Sequence, residues 1–430
     1  MAESRRVRRG LGSLSGFSLI LIATVASGVA SYVVTWLVPH QIGLASYAIF
    51  AIFWSFIYLV VGALFGIQQE VTRATRGVDT DAPPQVSRAR NFGLVAGLVV
   101  FAGVVGTAWS WVQNVFPKEG WSLVWPLAVG TASFVMVAVL CGALYGLSRW
   151  VSLALMMVTD ALLRLIAIAV VLAFTSDVVA LAWAVAIPFP ATLVILWPLI
   201  RSRIVGQSQL DVGYRQLTWN VARTILAAAS TGVMVSGFPL LLGLTARGER
   251  QAVVGLFILT ITLSRAPLIV IAMSLQSYFI VTFRDNAQHF WKTFLRLQCL
   301  VMAGGLVLAS LGWLIGPAVF EFLFPGELRP EGWFIAALVF SSALVGALCI
   351  AAPAVLARSQ HFIYSAGWAA GAVFTIGALL LPFDFTTRTI TALFVGPLAG
   401  LLIYGAYLAT AVNGQRTRRL KSSLGREVAS

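Results

Sequence analysis

Twelve apolar segments dominate the chain: residues 14–38, 44–67, 91–112, 122–146, 151–174, 178–200, 219–243, 252–282, 293–316, 332–357, 361–381 and 388–412. Each is long enough to cross the hydrocarbon of a bilayer as an α-helix, which takes about 20 residues. No water is present there to bond backbone N–H and C=O groups, so only helices and closed barrels span that layer. Barrel strands alternate in polarity over about 10 residues. These runs are continuously apolar and longer, so they read as helices. Composition agrees, with only 10% charged residues against about 25% in soluble domains. The sequence therefore predicts an all-α polytopic membrane protein of about twelve transmembrane helices. Arg5, Arg6, Arg8 and Arg9 precede the first segment as in a signal peptide. Its apolar core is too long for one, and it reads as a retained helix.

The formal net charge is +14, and the basic residues follow the membrane sides. With the N-terminus inside, 20 Lys and Arg fall in cytoplasmic segments and 5 in external loops, while the acids split 7 and 7 apart from Asp160. Only positive charge is asymmetric, as the positive-inside rule requires. Both termini are expected in the cytoplasm, where the basic loops and tails would meet anionic lipid. Nucleic-acid binding is not expected.

The basic loop 201–218 divides the chain into two halves of six helices, 14–200 and 219–412, flanked by basic tails 1–13 and 413–430. Weak echoes occupy matching places. "GALYGLSRW" leads from the fourth to the fifth span and "PAVLARSQHF" from the tenth to the eleventh, while "QEVTR" and "IVTFR" close the second and eighth. Repeats of this kind place a substrate path between the halves, near the midplane.

Five ionisable residues lie inside the predicted spans: Asp160, Arg164, Arg223, Arg265 and Arg296. Each costs about 2.5–3.5 kcal/mol at a helix centre on insertion scales. Arg223 and Arg296 lie near cytoplasmic ends and can reach the headgroups. Asp160 and Arg164 stand at i and i+4 on one helix face, in the favourable order. They form either a neutral structural pair or a site where Arg164 meets an anionic substrate and Asp160 holds it in place or takes a proton. Arg265 is near the middle of its span, with no acid within one turn in sequence. It is a candidate substrate-facing cation, the alternative being a bond to a neighbouring helix's carbonyls. Prolines at 188, 190, 198, 239, 267 and 353 permit kinks. Thr24, Ser27, Gly28, Ser31 and Thr35 form a small polar stripe in the first span, which helix packing explains as well as function does.

Enzymatic signatures are missing. There is no Walker A, HExxH or GxSxG motif, and no acid or cysteine stands at metal-ligand spacing from His40, His289 or His361. Cys141, Cys299 and Cys349 lie singly in predicted helices, so neither a disulfide framework nor a CxxC metal site is indicated. No cofactor, metal or catalytic residue is expected.

Four stretches carry a family resemblance: "GLASYAIFAIFWSFIYLVVGALFGIQQEVTR", "CGALYGLSRWVSLALMMVTDALLRLIAIAVVL", "VVGLFILTITLSRAPLIVIAMSLQSYFIV" and "FEFLFPGEL". Together they resemble the multidrug/oligosaccharidyl-lipid/polysaccharide (MOP) exporter superfamily, and more narrowly its polysaccharide-transporter branch, the O-antigen-type flippases. The resemblance covers nearly the whole chain. It implies two pseudo-symmetric six-helix lobes in a V around a central cavity. It also implies movement of a polyprenyl-diphosphate-linked saccharide from the cytoplasmic to the outer leaflet of a bacterial cytoplasmic membrane. Arg265 matches a cationic cavity position of such proteins, and Asp160 with Arg164 resembles a pair of this branch; Arg164 and Arg223 would add to the substrate-binding cations. Envelope glycosyltransferases or a polymerase would be partners. A cation-coupled drug antiporter of the same fold and a non-transporting envelope-assembly scaffold are the alternatives. One intramembrane acid against four arginines suits an anionic substrate better than a cationic drug.

Tags at residue 2, within 76–88, within 205–212 and at the C-terminus should report the cytoplasm, and a tag at 247–250 the exterior. Alkaline phosphatase and fluorescent-protein fusions would measure this. A cytoplasmic signal at 247–250 would overturn the twelve-span arrangement.

Overall fold

The computed structural model of the chain describes residues 16–77, 89–205, 208–210, 212–246, 248–275, 279, 282–283, 289–326, 329–358 and 360–427. Where they are described, the twelve expected segments lie mainly on helices; 14–15, 276–278 and 280–281 are outside the described residues. The elements are α1 (Gly16–Ala74), α2 (Ala89–Val115), α3 (Trp121–Gly146), α4 (Trp150–Phe174), α5 (Val178–Ala186), α6 (Pro188–Ile200), α7 (Tyr214–Val235), α8 (Phe238–Thr245), α9 (Gln251–Ser274), α10 (Phe290–Leu323), α11 (Gly332–Leu356), α12 (His361–Leu379) and α13 (Phe385–Glu427). Among the described residues nine helices are long and apolar enough to cross a membrane, or ten if the bent pair α7–α8 is one span. The protein is thus a multi-pass membrane protein.

Two features reconcile that number with twelve segments. α1 has 59 residues, which at about 1.5 Å per residue is far longer than the roughly 30 Å of hydrocarbon. Gly43 breaks it with φ 71° and ψ 163°, in a region open to glycine. The first and second expected spans are therefore the two halves of α1. The other feature is α9, whose apolar described part is short, Gln251–Arg265; side chains 266–274, Pro267 included, lie outside the described residues. The basic N-tail does so as well. In the C-tail the backbone of α13 continues as helix to Glu427.

The chain packs as two compact units, Met1–Leu259 with Gly326–Leu328, and Thr260–Pro325 with Arg329–Ser430. The division therefore lies at 259/260, and the expected inter-lobe connection 201–218 falls inside the first unit. In that unit α3 is the core helix, contacting α1, α2, α5 and α6. Its residues are buried around the whole circumference, from Leu123 to Leu144. In the second unit α11 has the same role between α10, α12 and α13, and Ser341–Val355 is buried without interruption. A helix apolar on every side belongs in such a place. The first pair of echoes, "GALYGLSRW" and "PAVLARSQHF", occupies the turns that leave these two core helices, α3 to α4 and α11 to α12, whereas "QEVTR" lies at the end of α1 and "IVTFR" mostly outside the described residues.

α7 and α8 join the first unit through the second half of α1. The two elements meet along small residues. A Cβ on Gly66 would stand 2.8 Å from the Ile225 backbone nitrogen, and one on Gly62 would stand 3.7 Å from the Gly232 Cα. Where α7 breaks into α8, the Ser55 hydroxyl donates to the Ser236 carbonyl at 2.6 Å and accepts from the Leu240 N–H at 3.1 Å. One hydroxyl from a neighbouring helix thus serves both sides of the break, where unpaired backbone groups would be costly. Midway along α7 the Thr224 hydroxyl donates to Glu70 Oε1 at 3.1 Å, while Arg73 Nε donates to Glu70 Oε2 at 2.9 Å. Beyond them β1 (Thr75–Gly77) pairs antiparallel with β2 (Ser208–Leu210), with Arg76 opposite Gln209. Strands thus occur only as this short pair among the described residues, outside the spans, where it ties the two longest connections together.

Outside the spans, Asp384 caps α13 by accepting from the Thr387 N–H at 2.9 Å. That backbone bond holds its carboxyl below the ordinary aspartate range. The stabilisation from this cap is therefore present at neutral pH and is lost as pH falls through the lowered value. Asp177 caps α5 in the same way, accepting from the Ala180 N–H at 3.0 Å.

Gly66→Val should weaken the purified protein. The added carbon meets backbone that cannot yield, and overpacking of this kind costs about 1–3 kcal/mol. Gly103→Val, at a position with nothing within 4 Å, should leave the thermal unfolding midpoint nearly unchanged. Equal midpoints for the two variants would show that α1 and α7 do not pack as closely as described.

Candidate functional site

The break between α5 and α6 sets up the charged site of the first unit. Pro188 and Pro190 have no N–H to offer the preceding turn, and the helix is interrupted at Ile187. A carbonyl beside this break, that of Val185, accepts from Arg164 Nε at 3.3 Å. Arg164 comes from α4. Its two terminal nitrogens donate to the two oxygens of Asp160, Nη1 to Oδ2 at 2.8 Å and Nη2 to Oδ1 at 2.9 Å. This is the parallel two-bond geometry in which guanidinium and carboxylate match best. The Arg164 carbon Cζ also lies 4.7 Å from the centre of the Phe189 ring and 5.7 Å from that of Tyr58. The Tyr58 hydroxyl, from the second half of α1, is within reach of the same guanidinium.

Arg164 is therefore enclosed. Its side chain is 7% exposed and that of Asp160 22%. Three of its donors are engaged by acceptors and one face is covered by an aromatic ring. Cys141 of α3 is an electrostatic neighbour of Asp160. On this geometry the two residues first operate as a neutral clasp that fastens α4 to the broken span α5–α6 and to α1. The polar stripe of the first span is mostly self-satisfied. The hydroxyls of Thr24, Ser31 and Thr35 each bond the carbonyl four residues back, whereas Ser27 donates across to the Met157 carbonyl of α4 at 3.3 Å.

The remaining candidate cations are placed differently. Arg223 is exposed on α7. That helix starts at Tyr214, earlier than the expected 219, so Arg223 is about two and a half turns from its beginning. Arg296 is exposed near the start of α10. Arg265 belongs to the second unit and is 6% exposed, beside the Cys349 thiol of α11. The structure thus brings Asp160 and Arg164 together and leaves Arg223 apart from them. The sequence reading missed Tyr58, Phe189 and the Val185 carbonyl. "PFP" at 188–190 marks the break, but nothing in the sequence pairs it with α4. Among the described residues no group of three His, Cys, Asp or Glu stands where a metal could be held.

The clasp makes a thermodynamic prediction. Asp160→Leu or Arg164→Leu alone leaves one buried charge uncompensated and should cost about 3–5 kcal/mol. The double variant should recover most of that loss. Denaturation of the three purified variants measures it, and additive losses would mean that the two side chains do not act as a pair.

No family model matches the chain. The uncharacterized protein Rv1510 of Mycobacterium tuberculosis is 31% identical to it over 397 residues, 90% of each chain. Among solved structures, an inward-facing multidrug resistance MATE family transporter of the MOP superfamily superposes with a TM-score of 0.63. It is 14% identical, and the match covers 94% of this chain and 96% of that one. A MOP superfamily transporter from Pyrococcus furiosus, described as having a binding pocket of reverse polarity, gives a TM-score of 0.55 at 16% identity, covering 94% of both chains. The chain belongs to the family of Rv1510, and its fold is that of the MATE transporters of the MOP superfamily.

Proposed function

We propose that the chain is a flippase that moves a polyprenyl-diphosphate-linked saccharide from the cytoplasmic to the outer leaflet by alternating access. The observation that carries this reading is the sign of the membrane-embedded charge. Asp160, the one acid within the twelve spans, is already matched by Arg164. Arg265 adds a buried positive charge in the second unit. A diphosphate headgroup is the complementary partner for arginines, which grip phosphate in a planar fork. A cationic drug, the expected cargo of a drug antiporter on this fold, would meet charge of its own sign. That polarity can differ within the superfamily fits the P. furiosus neighbour, whose binding pocket is described as reversed.

The rest of the reading follows from the substrate. The polyprenyl tail can stay in lipid while the headgroup crosses. With the cell interior negative, outward movement of an anion is downhill by about 2.3 kcal/mol per charge per 100 mV. The protein would sit in a bacterial cytoplasmic membrane with both termini inside, its basic loops on anionic lipid, beside the glycosyltransferases or polymerase that make and use the saccharide.

A deletion strain should accumulate a lipid-linked saccharide on the cytoplasmic side. Full-length chain should restore export. Arg265→Ala should express at normal level and fail to complement. Arg265→Lys should restore part of the export, because the charge survives and the two-pronged fork does not. Near-normal export by well-expressed Arg265→Ala would remove Arg265 from the substrate path.

A further inference from the structure

The first turns of α7, from Tyr214 to Arg223, mix polar and apolar residues, and the two kinds separate by face. Leu217 and Val221 are 0% and 6% exposed. Thr224, on the same side, bonds Glu70 of α1 at 3.1 Å. The opposite face carries Arg215, Trp219 and Arg223 at four-residue spacing, which lines side chains along one side of a helix. All three are exposed, Trp219 at 65%. We propose that Arg215, Trp219 and Arg223 are the docking strip on which the diphosphate of the lipid-linked saccharide lands before it is moved. The inference rests on the flippase reading above. It gives that substrate an entry point on the first unit, at the end of α7 that the reading assigns to the cytoplasm.

The strip straddles the boundary between water and hydrocarbon. The helix starts at Tyr214, and the apolar segment begins at 219. Arg215 is therefore outside that segment, and Arg223 is about 12 Å further along the axis. Trp219 stands between them, at the headgroup level that tryptophan favours. Arginine side chains at such depths extend toward the headgroups, so both guanidiniums meet the layer where a lipid phosphate lies. The outward aim of the strip is fixed from behind. Glu70, the carboxylate that α1 presents to α7, is taken by Arg73 Nε at 2.9 Å and by Thr224 on the seated side. A Cβ on Gly66 would stand 2.8 Å from the Ile225 backbone nitrogen. At that closeness α7 cannot roll its charged face inward without lifting off α1.

Charge and spacing favour a diphosphate over an ordinary phospholipid. A phosphodiester carries a single negative charge and suits a single arginine. A diphosphate has two charged phosphoryl groups and offers each arginine its own pair of oxygens, the match that the planar guanidinium makes best. Trp219 lies between the two cations and presents an apolar ring to the first isoprene units, which leave the headgroup on the lipid side.

Photo-crosslinking of the full-length chain in phosphatidylcholine vesicles tests this, with tritiated undecaprenyl diphosphate as the probe. A benzophenone amino acid takes the place of Ala222, an exposed residue on the same face. Capture at 222 should saturate. In Arg215→Gln/Arg223→Gln, half-saturation should need at least about tenfold more probe. The unfolding midpoint should stay that of the wild type, because both side chains are exposed. Unchanged capture by the double variant would overturn the proposal. Phosphatidylglycerol at the same lipid fraction should leave capture unchanged. Displacement by it would make the strip a general anchor for anionic lipid and overturn the proposal equally. The same benzophenone at Leu98 of α2, whose exposed neighbours are Val95 and Val99, should give capture that does not saturate, and saturation there would count against the strip. Capture is read without transport. A chain that captures the probe at 222 and exports no saccharide would refute the proposed function alone. One that exports saccharide with no capture at 222 would refute the strip alone.

Discussion

A polar group inside a bilayer has no water to fall back on, and the arrangement of this molecule follows from meeting that condition locally. Continuous helices satisfy their own backbones. Where the chain departs from a helix, a side chain from a neighbour serves the exposed groups. Ser55 does so at the break between α7 and α8, and Arg164 bonds a carbonyl beside the break between α5 and α6. Arg164 in turn needs a counter-charge, which Asp160 supplies from one turn away. Two broken spans of the first unit are therefore each attached to a neighbouring helix by a specific hydrogen bond.

Much of the fold is written plainly in the chain. Apolar run length identifies the helices that are long enough to cross a membrane among the described residues, because hydrocarbon thickness imposes one length scale. The fully apolar character of "FVMVAVLCGALYG" and "SSALVGALCIAAPAVL" marks the core helices α3 and α11. The i, i+4 spacing of Asp160 and Arg164 is sufficient to predict their contact, since the helix itself enforces it. Long-range partners are another matter. Tyr58, Phe189 and Val185 reach Arg164 from other helices, and no local pattern encodes that meeting. The same holds for the grouping of α7 with the first unit. Basic charge at 201–218 reports membrane side, not packing, whereas the contacts of Gly66 with Ile225 and of Glu70 with Thr224 depend on tertiary placement.

Burial also separates arginines that look alike in sequence. Arg223 and Arg296 are exposed, while Arg164 and Arg265 are buried. Insertion cost applies to the second pair, and for Arg164 the compensation is a set of named bonds. The division assigns different work to the two: one fastens helices, and the other is the cation proposed to meet a phosphate.

The seam between α1 and α7 has a consequence for biosynthesis. Ser55 and Ser236 are 181 residues apart in sequence. At about 5–20 residues per second, about 10–35 s pass between their synthesis. During that interval α1 has entered the membrane with its glycine face and its serine hydroxyl open to lipid or to the insertion machinery. The first unit thus waits on helices made at and just past the midpoint of translation. A ribosome that stalls between residues 200 and 240 would leave behind a membrane-inserted fragment whose stickiest surface is uncovered, a natural target for quality-control proteolysis.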